Sequence, residues 1–263
     1  MHDADGVDDE TMLRFARETR LSETTFVQAA SAEGADYRNR IWMMAGELPF
    51  AGHPSLGTAV AVALAAGARE ARYVQQTPAG LQPVEVEVRG DGVARASMLQ
   101  EPATFGAEPA AADVAAAVGL DAGDFDPELT PQVVSTGQPH VMAPVRAGAL
   151  GRAAPDAGRL RALLEATGSV VVYLAECDVA GGTARARSFF MDPDGATEDP
   201  ATGSACGPLL AYLRERAGVE RLVVEQGVEM ARPSRLDCEL DAASGRVRVG
   251  GDCVVVATGT VRL

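Results

Sequence analysis

Lysine is absent from this sequence of 263 residues, in which all 23 basic side chains are arginine. A chain without lysine cannot form the imine that pyridoxal phosphate enzymes require, and it cannot supply the lysine of a phosphate-binding P-loop. Neither a Gly-x-Gly-x-x-Gly motif after a strand nor a His-Glu-x-x-His motif is present. We therefore expect no cofactor, and any activity has to depend on carboxylates, histidines, hydroxyls and backbone amides.

Cysteine and histidine are also scarce. The three histidines and four cysteines form no Cys-x-x-Cys pair, and the cysteines are widely spaced at Cys177, Cys206, Cys238 and Cys253. This spacing predicts neither a zinc site nor a disulfide framework. We expect reduced and mostly buried thiols, and no bound metal.

Long apolar runs and excess positive charge are missing as well. The longest apolar stretches, such as 58–66, are too short and too rich in alanine to cross a bilayer. The acidic start of the chain has no apolar segment typical of a secretory signal, so we expect a cytoplasmic protein. A net charge of −14 disfavours nucleic acid as a partner, because no basic stripe could neutralise phosphates.

What the sequence does contain is a mixture of short strands and a few helices. Residues 84–88, 246–249 and 252–256 alternate or are β-branched, and residues 169–174 are apolar on both faces, which is typical of strands. Helices are predicted over 8–17, 110–118 and 155–166. The pattern indicates an α+β protein.

Two distant segments resemble each other. Each has an acidic residue and a glycine-containing loop before an unusually apolar helix: residues 46–54 precede a helix over 55–66, and residues 198–207 precede a helix over 208–216. A helix that is apolar nearly all round is a buried one. The repeat predicts two similar halves with the sheet wrapped around a central helix, and the Pro- and acid-rich residues 100–109 predict the boundary between 1–106 and 107–257.

The start of a buried helix can also bind an anion. Its first N–H groups are unpaired and carry partial positive charge, and nearby glycines allow a ligand to approach the backbone closely. For one loop alone, an ordinary helix cap is the more frequent explanation. Two such loops favour a carboxylate-binding function.

Five motifs in this order resemble the signature segments of the PhzF family. They are Leu21-Ser22-Glu23-Thr24-Thr25-Phe26, Glu47-Leu48-Pro49-Phe50-Ala51-Gly52-His53-Pro54, Ser135-Thr136-Gly137-Gln138-Pro139-His140, Glu198-Asp199-Pro200-Ala201-Thr202-Gly203-Ser204-Ala205 and Gln226-Gly227-Val228-Glu229-Met230-Ala231-Arg232-Pro233-Ser234. The resemblance implies a diaminopimelate epimerase-like fold with two barrel-like halves, an active site between them and a homodimer. In phenazine-forming members the reaction is the isomerisation of trans-2,3-dihydro-3-hydroxyanthranilate by a proton shift.

Carried over residue by residue, the resemblance implies Glu23, His53 and Asp199 as catalytic residues. It implies Gly52, Gly203 and Ser204 as residues that bind the substrate. A carboxylate can accept a proton from one carbon and return it to another, which suits an isomerase. Taken singly, Glu23 would more often be an exposed residue of a turn, His53 a structural histidine and Ser204 a helix cap.

Relative to the family pattern, the chain begins after the usual first strand and its Gly-Asn-Pro turn. Residues 258–263 are expected to pack back onto the N-terminal half. Met43-Met44-Ala45 replaces a more usual Thr-Pro dipeptide, which we expect to alter the pocket wall.

Two other functions compete with the isomerase. Epimerases or racemases of the diaminopimelate or proline type use two thiols, and Cys206 falls near the place of one of them, whereas the first loop offers Ala51 and His53. A non-catalytic metabolite-binding homologue is the second alternative. The combination of Glu23, His53, Asp199 and Ser204 favours an enzyme, because a retired site has no need of a base.

Overall fold

A computed structural model describes residues 1–90 and 92–262. The chain forms two compact units, of which the first comprises Met1–Leu99 with Gly250–Leu263 and the second comprises Gln100–Val249. The last strand therefore begins in the second unit and ends in the first.

The first unit contains two helices and most of one mixed sheet. Its elements are α1 (Asp9–Thr19), β1 (Thr24–Gln28), β2 (Tyr37–Met43), β3 (Gly46–Leu48), α2 (Gly52–Ala65), β4 (Glu70–Thr77), β5 (Gly80–Gly90) and β6 (Val93–Leu99). The strands are ordered β1-β2-β4-β5-β6, and β3 pairs with β2. Helix α2 connects the parallel strands β2 and β4, because a parallel pair needs a long crossover.

The sheet of the first unit curves around α2. This helix contacts β1, β2, β4, β5 and β6. Strands lie about 4.8 Å apart and a helix with its side chains is only about 10 Å wide, so a flat sheet could not bring five strands to one helix. The apolar core includes Leu56, Val60, Val84 and Met98, which confirms that α2 is a buried helix.

The second unit repeats this plan with additional elements. They are β7 (Thr104–Phe105), α3 (Ala111–Val118), β8 (Gln132–Ser135), β9 (Pro139–Pro144), α4 (Ala157–Thr167), β10 (Val171–Asp178), β11 (Thr183–Asp192), β12 (Gly195–Asp199), α5 (Gly203–Ala217), β13 (Arg221–Gln226), β14 (Ser234–Leu240) and β15 (Val247–Val254), with 3-10 turns at Ala122–Asp124 and Leu150–Arg152. The strand order is β14-β13-β11-β10-β9-β8-β7. Helix α5 contacts β14 and β13 as well as β9 and β8, so this sheet also curves around its helix.

The repeat seen in the sequence corresponds to a repeated structural unit. In the first unit β3 folds back on β2 before α2 crosses to the parallel strand β4, and in the second unit β12 folds back on β11 before α5 crosses to β13. An arginine on the long strand makes two bonds to a glutamate on the short strand in each case: Arg40 with Glu47, and Arg187 with Glu198. Bidentate pairs of this kind fix geometry as well as adding energy. In both halves, therefore, a hairpin held by the same contact precedes the buried helix. This confirms the predicted α+β fold with two similar halves.

Two predicted helix starts were wrong, and two predicted strands form one. Helix α2 begins at Gly52 rather than Ser55, because Pro54 lies in its first turn, where a missing N–H costs little. Helix α5 begins at Gly203 rather than Pro208, which lies inside the helix. The two strands predicted over 246–249 and 252–256 form the single strand β15, since Gly250 allows the backbone to approach Ala96 and Ser97 closely.

No helix within the described residues is long and apolar enough to span a membrane.

Candidate active site

The position of Glu23 follows from the strand that it precedes. Strand β1 begins at Thr24, and the hydroxyl of Thr58 on α2 donates a hydrogen bond of 2.8 Å to the hydroxyl of Thr25. Glu23 lies two residues before Thr25, a spacing that directs side chains to the same side of an extended chain. Two strand residues cover about 7 Å, which is close to the rise of the five helical residues between Thr58 and His53. The strand thus places Glu23 beside the first turn of α2.

Glu23 and His53 form the closest ionisable pair at this helix start. Oε2 of Glu23 lies 3.0 Å from Nε2 of His53. This oxygen is closed off from solvent, and it lies within ion-pairing distance of an imidazole that is charged only when protonated. The Glu23 side chain is 15% exposed and the His53 side chain is 43% exposed. The carboxylate of this pair is therefore largely buried, whereas the imidazole is partly exposed.

The start of α2 has no side-chain cap. Gly52 is its first residue, the preceding Ala51 provides no side-chain cap, and the first turn contains no acid among the described residues. By contrast, Asp8 caps α1 at the backbone N–H of Thr11. Uncapped N–H groups at a buried helix start can bind a carboxylate.

In the second unit, Asp199 ends β12 immediately before the loop into α5. Its Oδ2 accepts a hydrogen bond of 2.6 Å from the hydroxyl of Thr202. Thr202 occupies the N-cap position of α5, but its hydroxyl is directed to Asp199 and does not cap the helix. Asp199 therefore has a fixed orientation at the point where the second buried helix begins.

Gly203 and Ser204 are the first two residues of α5. No acid lies in its first turn in the part of the chain that the structure describes. The Gly203 carbonyl accepts a hydrogen bond of 2.8 Å from the side chain of Gln100, whose Oε1 accepts one of 2.5 Å from Thr136. A Cβ at Gly203 would make only an ordinary contact, at 3.9 Å from Val249. The surrounding fold would therefore tolerate a methyl group at this position.

A buried histidine lies behind the same helix start. His140 on β9 has no exposed surface, and neither of its ring nitrogens makes a well-aligned hydrogen bond within the described residues. Burial lowers the pKa of His140 to about 4, an effect that the Ser204 backbone partly opposes. Pro208 has no N–H for the carbonyl of Ser204, four residues earlier. A neutral imidazole thus lies next to the segment of α5 whose helical bonding proline interrupts.

The structure brings the predicted residues together in two groups. Glu23, Gly52 and His53 belong to the first unit, and Asp199, Gly203 and Ser204 belong to the second. Reasoning from single residues missed Thr202, Gln226, Gln100 and His140. Of these, Gln226 and His140 lie in segments used only for their family resemblance. Thr202 lies in the loop of the second repeated segment, and Gln100 gave no signal because it lies in a stretch interpreted as a boundary.

The four cysteines are free thiols. Cys206 lies in the core of the second unit and is fully buried. Burial raises the pKa of the Cys177 thiol to about 12, that of Cys253 to about 11 and that of Cys238 well above its usual value. Because the thiolate is the reactive form, these three thiols are poorly suited to proton transfer.

Comparison with known proteins identifies relatives over nearly the whole chain. The family model described as phenazine biosynthesis-like protein matches residues 1–259. A trans-2,3-dihydro-3-hydroxyanthranilate isomerase of Pseudomonas aeruginosa is 35% identical over 99% of this chain and 91% of its own length. An uncharacterized isomerase of Mesorhizobium japonicum is 36% identical over 98% of this chain and 90% of its own length.

Solved structures give the same result. A predicted epimerase from Pseudomonas aeruginosa superimposes with a TM-score of 0.81 at 36% identity, covering 98% of this chain and 92% of that one. A hydroxyproline epimerase from Agrobacterium vitis has a TM-score of 0.58 at 16% identity over 89% of this chain and 72% of its own, which shows a shared fold alone. The fold is thus the one that epimerases and isomerases of this class share.

Within that class, the chain belongs to the phenazine biosynthesis-like protein family. Its relatives are named isomerases, and it is an enzyme of the isomerase class.

Proposed function

We propose that this enzyme shifts a proton between two carbons of a small carboxylate without a cofactor, and that trans-2,3-dihydro-3-hydroxyanthranilate is its substrate in a phenazine or related pathway. The observation that carries the proposal is the Glu23 carboxylate, which lies 3.0 Å from His53 Nε2 at an uncapped helix start. The name of the 35%-identical relative supports this choice of substrate.

Glu23 acts as the base and then as the acid. Its carboxylate accepts a proton from one carbon, the electron pair of that C–H bond moves into the neighbouring unsaturated system, and the carboxyl returns the proton to another carbon. The substrate and product are isomers, so no oxidant or reductant is consumed. His53 and Asp199 orient the substrate or relay protons to water.

The helix starts bind the substrate and the charge that develops on it. Backbone N–H groups at Gly52, Gly203 and Ser204 are the proposed donors to the carboxylate and to the delocalised negative charge.

Turnover and solvent deuterium uptake test the proposal. Purified protein in deuterated buffer, supplied with trans-2,3-dihydro-3-hydroxyanthranilate, is expected to form the isomer with deuterium on carbon. Glu23→Gln is expected to lose both signals, whereas Glu18→Gln, an exposed glutamate on α1, is expected to retain them. Absence of turnover by folded wild-type protein would reject this substrate and favour a non-catalytic metabolite-binding role.

Replacement of Cys206 tests the epimerase alternative. If a thiol were the base, Cys206→Ser would abolish turnover in a folded protein. Unchanged turnover is expected, because Cys206 lies in the apolar core of the second unit.

We further propose that the enzyme acts in the cytoplasm as a homodimer. The free cysteines support a reducing compartment, and the family resemblance supports the dimer. Sedimentation velocity at micromolar concentration tests the dimer, and fractionation of the source cells tests the location.

A further inference from the structure

A chain of buried hydrogen bonds ends at the carboxylate of Asp199. It starts at Tyr173 on β10, whose hydroxyl donates 2.8 Å to Oε1 of Gln226, the last residue of β13. Nε2 of Gln226 donates 2.9 Å to the hydroxyl of Thr202, which donates 2.6 Å to Oδ2 of Asp199. Tyr173 and Gln226 have no exposed surface.

The oxygen and the nitrogen of the Gln226 side-chain amide each make two hydrogen bonds. Its oxygen accepts from the Tyr173 hydroxyl and from the Thr202 backbone N–H at 3.2 Å. Its nitrogen donates to the Thr202 hydroxyl and, at 2.6 Å, to the Asp199 carbonyl. Reversing the amide would set its NH2 against the Thr202 N–H and its oxygen against the Asp199 carbonyl. Only one orientation of Gln226 satisfies all four bonds.

That orientation fixes the direction of the Thr202 hydroxyl. A hydroxyl has one hydrogen, and because Thr202 Oγ1 accepts from Gln226, its hydrogen is free to point to Asp199. Gln226 therefore constrains Asp199 in two ways. It donates to the backbone carbonyl of Asp199, and it orients the Thr202 hydroxyl that donates to the Asp199 carboxylate. None of these contacts caps α5. They fix the orientation of Asp199 and leave the start of the helix without a side-chain cap.

We propose that Gln226 is the positioning residue of the Asp199 carboxylate, with Thr202 as its intermediary and Tyr173 as its support. The proposal rests on the proposed function, in which Asp199 contacts the substrate. Because Gln226 is buried behind Asp199, it sets the geometry of the reacting complex and makes no contact with the substrate itself.

Steady-state kinetics of matched variants test this role. Thr202→Val removes the hydroxyl donor at nearly constant volume, and Gln226→Glu replaces the Nε2 donor by an acceptor. Both are expected to lower kcat by about tenfold to a hundredfold with KM within about twofold, because a misplaced group slows the reaction even when the substrate still binds. Thr202→Ser keeps the hydroxyl and is expected to restore most of kcat.

A second buried tyrosine, Tyr212, provides the structural control for Tyr173. Tyr212 has no exposed surface and donates one hydrogen bond of 2.7 Å to the Thr130 carbonyl, outside the chain that reaches Asp199. Tyr173→Phe and Tyr212→Phe each lose one such bond, and only Tyr173→Phe is expected to lower kcat. Equal effects of the two changes, or wild-type kcat in folded Thr202→Val, would overturn the proposal.

An activity-independent measurement separates this proposal from the proposed function. The 13C chemical shift of the Asp199 carboxyl is expected to move in Thr202→Val and to return in Thr202→Ser, with or without a known substrate. If wild-type protein gave no turnover but these shifts changed as described, the positioning role would stand and the assigned reaction would fail. An Asp199 shift that is unchanged in Thr202→Val and Gln226→Glu would reject the positioning role.

Discussion

In both units the same kind of hairpin precedes the buried helix, but the acidic residue of the candidate site comes from a different place in each. In the first unit the carboxylate comes from Glu23, outside the hairpin, and its neighbour His53 is 43% exposed. In the second unit Asp199 belongs to the hairpin itself and is tied to a buried chain of hydrogen bonds. Under the proposed function, Glu23 exchanges protons and Asp199 holds the substrate in place.

Replacing each acid by its amide is the strongest test of this comparison. Glu23→Gln is expected to lower kcat/KM by a factor on the order of 10³, because a general base is lost. Asp199→Asn is expected to lower it by only about tenfold to a hundredfold, because an amide oxygen can still accept the bond from Thr202. Both values come from initial rates of isomer formation. Equal losses would show that both acids transfer protons.

The buried histidine makes the second unit sensitive to acid. The pKa of His140 is lowered to about 4 in the folded protein, whereas the ordinary value of 6.5 applies when it is unfolded. Between these values the unfolded chain binds the proton and the folded chain does not, so stability falls as the pH falls. The free energy of unfolding falls by about 3 kcal/mol in total, and by about 2 kcal/mol between pH 7 and pH 5.

Urea unfolding at pH 7 and pH 5 measures this loss. His140→Leu is expected to remove that part of the pH dependence. His2→Gln, a change at an exposed position, is expected to keep it. A wild-type slope in His140→Leu would contradict the assignment.

Glycines in the two buried helices offer a matched pair. A Cβ at Gly207 in α5 would meet Oε1 of Gln100 at 1.8 Å, whereas a Cβ at Gly57 in α2 meets nothing within 4 Å. Gly207→Ala is therefore expected to cost about 1–3 kcal/mol of unfolding free energy. Gly57→Ala is expected to be neutral or to stabilise by up to about 1 kcal/mol. Equal unfolding midpoints in urea would show that α5 can shift to accept the methyl group.

The smallest expected effect concerns the contact that aligns β1 with α2. Thr58→Val removes the hydrogen bond to Thr25 and leaves the Thr25 hydroxyl without this donor. We expect a loss of about 1 kcal/mol in thermal or urea unfolding. Thr58→Ser should retain the bond and most of the stability, and a destabilisation of Ser equal to that of Val would assign the effect to packing.

Local patterns predicted the helices α1 to α5 but only parts of the strands β5, β10 and β15, because apolar periodicity reports burial most clearly in helices and in fully buried or regularly alternating strands. They placed the starts of α2 and α5 too late, at residues 55 and 208, whereas these helices begin at Gly52 and Gly203. The roles of Gln226 and Gln100 could not be predicted from local pattern. Gln226 bonds to residues 24 to 53 positions away, and Gln100 reaches a carbonyl 103 positions away. Such pairings are set by the topology of the sheet and not by neighbouring residues.

The composition of α5 has a consequence for how the protein folds. Its first two turns contain Gly203, Gly207 and Pro208, and in an isolated peptide each glycine costs about 1 kcal/mol and an interior proline about 3 kcal/mol of helix propensity. This segment therefore cannot nucleate by itself and has to form on an existing sheet. Amide hydrogen exchange should accordingly report the end that carries Ser204 as ordered only after its surrounding strands have assembled.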